Sequence, residues 1–152
     1  MRPRLVMATV DSAGRVTERP PVREGKVFPR NVADRVVEML THVVEDDDGT
    51  GTLARVPGCA VAGKTGTAEI PQGGHYVPGQ DVVSFVGILP ADAPQYVIAV
   101  IIDRPRTGHN FGGTIAAPVF RDIAESLVTE LRLPVATPEG GLEPPVEGAV
   151  HP

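Results

Sequence analysis

The amino-acid sequence predicts an α+β fold: a mainly antiparallel sheet with flanking helices, in one domain. Two observations carry that expectation. Two strong strand patterns, residues 82–89 and 95–103, are separated only by Pro90-Ala91-Asp92-Ala93-Pro94. Two amphipathic helical patterns, residues 31–45 and 117–131, lie on either side of this stretch. Strands and helices therefore do not follow the strict β-α-β order of a parallel sheet.

Taken in order, residues 5–10 form a β-prone run, Asp11-Ser12-Ala13-Gly14 is turn chemistry, and residues 15–19 supply the return strand of a hairpin. After a proline-broken stretch, Asn31 can cap a helix. Val32, Val36, Leu40, Val43 and Val44 then give it one apolar stripe. Its C-terminus runs into Glu45-Asp46-Asp47-Asp48-Gly49, and acids there oppose the helix dipole, so fraying is expected. Residues 59–69 read as a further strand. The runs 82–89 and 95–103 are apolar on both faces, which predicts central strands covered on both sides. In the last helix Phe120, Ile123, Leu127, Val128 and Leu131 mark the buried side, with Pro118 fitting the first turn.

A chain of 152 residues is long enough to bury a real core. The folded domain is expected to span residues 2–133. Residues 134–152 hold five prolines and three glutamates with no Lys, Arg or aromatic residue, and are expected to be disordered. The net charge of −5 argues against nucleic acid as a partner, since neutralising phosphates takes clustered Lys and Arg. A single cysteine, Cys59, excludes an internal disulfide and suits a small core residue. His75 and His109 have no spaced partners for a metal, and Asp46-Asp47-Asp48 lacks the alternate spacing of a calcium loop. No cofactor is implied. Neither a signal peptide nor a membrane anchor is visible, so the chain as given is expected in the cytoplasm.

Residues 58–69 carry the chemistry, and they admit two readings. Gly58-Cys59-Ala60-Val61-Ala62-Gly63-Lys64-Thr65 matches the phosphate-binding pattern G-x-x-x-x-G-K-[ST] letter for letter. Such a loop needs a strand before it and a helix after it. Here Pro57 precedes, and Thr65-Gly66-Thr67-Ala68-Glu69-Ile70-Pro71 makes a poor helix start. The second reading puts Lys64-Thr65-Gly66-Thr67 on a strand, as a K-T-G motif. A third possibility is a binding module that uses the sheet edge without chemistry.

The surrounding residues extend the second reading. Val61-Ala62-Gly63-Lys64-Thr65-Gly66-Thr67-Ala68-Glu69, then Ser84-Phe85-Val86-Gly87-Ile88-Leu89-Pro90, then Ala117-Pro118-Val119-Phe120 stand in the order found in class B penicillin-binding proteins. Arg2-Pro3-Arg4-Leu5-Val6 and Gly49-Thr50-Gly51-Thr52 resemble the same family. The resemblance implies a peptidoglycan D,D-transpeptidase: a serine attacks the D-Ala-D-Ala carbonyl, and the acyl-enzyme then passes to an amine. It implies the partly built fold of that family, a stem peptide or a β-lactam as ligand, and a parent anchored outside the cytoplasmic membrane. It also implies that Lys64, Thr65, Gly66 and Thr67 form one wall of the cleft. Lys64 supplies charge, and Thr65 and Thr67 hydrogen-bond the substrate carboxylate. The Thr67 N–H serves the oxyanion, and Gly66 leaves room for the substrate. Strict alternation sends Lys64 and Thr65 to opposite faces, so both reach the site only from a sheet edge or through a twist.

The family's nucleophile lies in an S-x-x-K motif and a second serine in S-x-N or S-x-D. Three residues after Ser12, Ser84 and Ser126 stand Arg15, Gly87 and Thr129; two residues after them stand Gly14, Val86 and Val128. Neither motif is present. The expectation is therefore the C-terminal part of a transpeptidase, with no catalytic nucleophile of its own, inactive alone, and partnered by the missing N-terminal half.

Overall fold

The computed structural model describes residue 2 and residues 4–106 and 110–133. His109 and the tail expected at 134–152 lie outside the described residues. The chain divides into two compact units, Met1–Ala33 and Asp34–Pro152.

The first unit is built on the expected hairpin, β1 (Ala8–Val10) paired antiparallel with β2 (Val16–Glu18). Asp11 organises its turn. One carboxylate oxygen accepts the N–H of Ala13 at 2.9 Å and of Arg15 at 3.0 Å, while the other takes the Arg15 guanidinium at 2.7 Å. Gly14 adopts a φ of +77°, a conformation that costs glycine little. Both strands are shorter than predicted and wholly exposed. A small ladder without a buried face has little to extend it.

Helix α1 (Arg30–Glu45) forms where the periodicity placed it. Only Val44 of its apolar stripe is buried; Val32 and Val36 stay exposed, because no element packs along the helix among the described residues. The expected fraying is countered from the next turn. Arg55 donates to the terminal carbonyls of Val44 at 2.8 Å and Glu45 at 2.7 Å, and its charge offsets Asp47 at 3.2 Å. A short 3-10 turn, Thr52–Ala54, follows.

The sheet is an antiparallel meander: β3 (Ala62–Gln72), β4 (His75–Leu89) and β5 (Tyr96–Asp103) lie in the order β3-β4-β5. Register pairs Thr65 with Phe85 and Phe85 with Val100, which sets these residues on one face. That face carries the core: Phe85, Val83, Leu89 and Val100 are buried beneath α2 (Gly112–Leu131), where Phe120, Ala116, Ala117 and Ala124 are buried in turn.

Three expectations change here. Helix α2 starts at Gly112 rather than Ala117, which places Pro118 inside it. Its two leading glycines are poor helix formers. Close packing overrides that propensity, since a side chain on Gly112 would strike the backbone of Gly66 and Ser84, and one on Gly113 the carbonyl of Thr50. The buried stripe runs through Ala116, Ala117, Phe120 and Ala124, so that Ile123 and Leu131 are exposed. Finally, among the described residues β5 is an edge strand and only one sheet face is covered: Val86, Val97 and Ile101 stand 41%, 69% and 68% exposed on the other. No helix among the described residues is long and apolar enough to cross a membrane.

Candidate functional site: the outer edge of β3

Among the described residues strand β3 pairs only with β4, so its other edge is open, and Lys64-Thr65-Gly66-Thr67 lie in its middle. The alternation problem is resolved at this edge. Thr65 faces the α2 side, and the Lys64 side chain curls round the strand until Nζ donates to the Thr65 carbonyl at 2.9 Å and lies 3.5 Å from Thr65 Oγ1. Thr67 Oγ1 accepts the N–H of Gly112 at 3.3 Å, which ties the strand to the first turn of α2. Thr50, on the turn after α1, sets its hydroxyl 3.3 Å from that of Thr65.

These groups surround a cavity of about 340 Å³, lined by Thr50, Thr52, Thr65, Thr67, Gly113 and Thr114 among others. Five threonines line it together with the apolar side chains of Leu53 and Phe111, and backbone comes from the start of a 20-residue helix. Hydroxyl donors, a helix N-terminus and the Lys64 ammonium beside them favour an anion. A second cavity of about 690 Å³ adjoins it along β3, sharing Thr67 and Phe111 and adding Glu69, Tyr76, Asp81 and Asn110. Asn110 is buried and donates to the Gly79 carbonyl at 3.1 Å and to Asp81 at 3.0 Å, so it pins the loop that leads into α2.

The phosphate-loop reading of residues 58–65 is overturned. Gly63, Lys64 and Thr65 sit in antiparallel register with Gly87, Val86 and Phe85, the strand continues to Gln72, and no helix follows Thr65. Amides committed to a strand ladder cannot converge on a phosphate. The strand itself begins at Ala62 rather than Cys59, because Gly58 turns at φ +72° and Val56 bridges to Cys59 just before it. Cys59 is buried; burial pushes its thiol pKa up, and the charges of Asp92 and Glu45 push it further the same way. A thiol of that kind is a poor nucleophile.

None of the three serines stands in the K-T-G cavity's described lining. Ser12 lies in the hairpin turn, Ser126 is exposed on α2 with Oγ donating to the Asp122 carbonyl at 3.0 Å, and Ser84 is opposite Gly66 on β4. Reasoning from sequence missed Thr50 and Phe111 as parts of the site. A signal for the first existed, in Gly49-Thr50-Gly51-Thr52.

The site thus combines an open strand edge bearing K-T-G, a helix N-terminus beside it and a single-layer antiparallel sheet. Comparison with known proteins gives the family. The penicillin binding protein transpeptidase domain matches residues 1–125, and this chain belongs to that family. It is 38% identical over 146 residues to penicillin-binding protein PbpB of Mycobacterium tuberculosis, covering 91% of this chain and 22% of that protein. It is 37% identical over 116 residues to stage V sporulation protein D of Bacillus subtilis, covering 76% of this chain and 18% of that one. Among solved structures, penicillin-binding protein 3 of M. tuberculosis in complex with ampicillin superposes with a TM-score of 0.73 at 37% identity, over 93% of this chain and 32% of its own. The chain therefore spans about a fifth of the curated relatives it matches.

Proposed function

We propose that this chain supplies the K-T-G wall of a peptidoglycan D,D-transpeptidase, binding the C-terminal carboxylate of a stem peptide, or the equivalent acid of a β-lactam, without supplying the nucleophile. The observation that carries the reading is the open edge of β3, where Thr65 and Thr67 meet the start of α2 around one cavity and Lys64 lies beside Thr65. An extended peptide adds to such an edge through main-chain hydrogen bonds, and alternate side chains give specificity. Lys64 supplies positive charge, the threonine hydroxyls receive the carboxylate, and the Thr67 N–H serves the oxyanion. A donor of that last kind contributes about 3 kcal/mol to acyl transfer elsewhere. Gly66 keeps the edge flat where the ligand lies.

Chemistry then needs the S-x-x-K serine from another part of a transpeptidase, so the chain by itself binds and does not acylate. The peptidoglycan side of the cytoplasmic membrane, where the family's transpeptidases work, belongs to the same reading. The test is titration of the chain with N-acetyl-D-alanyl-D-alanine, followed through backbone amide resonances. Shifts should centre on Thr65, Thr67, Gly112 and Gly113 and vanish in Lys64→Ala. Shifts elsewhere, or unchanged binding by Lys64→Ala, would count against the reading.

A further inference from the structure

Thr65 receives two polar neighbours from different parts of the chain. Lys64 Nζ lies 3.5 Å from its Oγ1 on one side, and Thr50 Oγ1 lies 3.3 Å away on the other. Thr50 does not belong to the sheet, and the turn that carries it is held from three directions. The N–H of Gly51 donates to the Val43 carbonyl at 2.9 Å at the end of α1. A side chain on Gly51 would press on the Phe85 ring, 3.0 Å away, and the Thr50 carbonyl occupies the space that a side chain on Gly113 would need. The Thr50 hydroxyl is therefore set in place by α1, the core and α2 together.

Counting protons shows what this placement does. An ammonium only donates, so toward Lys64 the Thr65 oxygen is an acceptor. Its single proton is left for Thr50 or for a ligand. When a carboxylate enters the cavity, Thr65 turns that proton to it, and Thr50 donates into the second lone pair of the Thr65 oxygen. Every donor and acceptor of Thr65 is then used, and no hydroxyl is left short.

We propose that Thr50 is a positioning residue of the carboxylate site, holding the Thr65 hydroxyl beforehand and donating to its oxygen as the acid binds. This deepens the K-T-G reading and rests on it. The experiment titrates the chain and its variants with N-acetyl-D-alanyl-D-alanine as the free acid and as the C-terminal amide. The wild-type chain prefers the acid. Thr50→Val and Thr50→Ala, which delete the hydroxyl with and without branched bulk, weaken the acid by about fivefold, the scale of one hydrogen bond, and weaken the amide less. Thr50→Ser restores the acid preference. A wild-type acid preference that disappears in Lys64→Ala but survives in the hydroxyl-deleting variants overturns the role of Thr50 alone. Equal weakening of acid and amide also overturns it, because that outcome reports a merely structural residue. No acid preference in the wild-type chain overturns the K-T-G reading and the role of Thr50 with it.

Discussion

Phe85 and Phe120 meet as a tilted aromatic pair, with ring centroids 4.8 Å apart and planes inclined by 60°. The contact joins the centre of the K-T-G sheet to the middle of α2, and it exists because Gly63 and Gly87 leave the rings their space. The geometry of the open edge depends on it, since Phe85 is the register partner of Thr65.

Truncating that pair should be costly. Phe120→Ala is expected to destabilise the fold by about 3–5 kcal/mol, the range for deleting a buried aromatic ring. Gly87→Ala, which drives a methyl group into the Phe120 ring, should cost about 1–3 kcal/mol through overpacking. Urea denaturation followed by circular dichroism measures both. Midpoints equal to the wild type would mean that α2 does not anchor the sheet through these rings.

Gly66 and Ser84 should behave as a coupled pair. A Cβ on Gly66 would lie 2.5 Å from Ser84 Oγ, whereas Ser84 Cβ is a comfortable 3.9 Å away. Gly66→Ala alone is expected to lower stability, and Ser84→Ala in the same chain to return part of the loss, with a coupling of about 1 kcal/mol. Strictly additive effects in a double-mutant cycle would show that the clash is absorbed elsewhere, for instance at Gly112.

Covalent labelling by penicillin is expected to fail. Ser12, Ser84 and Ser126 have no lysine one helical turn later, and a positioned base contributes about 10²–10⁴-fold to such an attack. Intact-protein mass spectrometry after incubation with excess penicillin should return the unmodified mass. A stoichiometric adduct on any of the three, lost when the chain is denatured first, would mean that a nucleophile is assembled in a way the K-T-G half-cleft does not account for.

The hairpin should be sensitive to acid. Asp11 has its pKa lowered first by the backbone N–H of Arg15, then by the Arg15 side chain. A lowered carboxylate pKa stabilises the folded turn at pH values above the ordinary 3.8. That contribution drains away as pH falls from there through the lowered value. Amide resonances of β1 and β2 should therefore lose dispersion in that window, while those of β3 to β5 hold longer. In Asp11→Asn the hairpin's pH dependence should flatten; an unchanged profile would assign the transition to another group.

Local chemistry made much of this molecule readable in advance. Asp11 and Gly14 spell a turn, the spacing of Val32 to Val44 spells a helix, and the apolar runs in β4 and β5 spell strands. Lys64 to Thr67 were placed on a strand by what flanks them. What could not be read comes from approach between distant segments. Gly112 and Gly113 look like helix breakers until Gly66 and Thr50 are brought against them, and Thr50 meets Thr65 only once α1 and the sheet have packed. The letter match at residues 58–65 misled for a related reason: backbone direction, which no pattern of letters records, decides whether amides converge. The exposure of Val86, Val97 and Ile101 was equally invisible, because alternation reports which residues want cover and not what provides it.

The meander has a kinetic meaning. In β3-β4-β5 each strand pairs with the next in the chain, across the turn between Gln72 and His75 and the short link from Leu89 to Tyr96. Pairings of such small sequence separation lose little entropy on closure and form early. α2 follows directly and seals one side. The open K-T-G edge is therefore the product of consecutive strands and the helix after them, released by a ribosome in the order in which they pack.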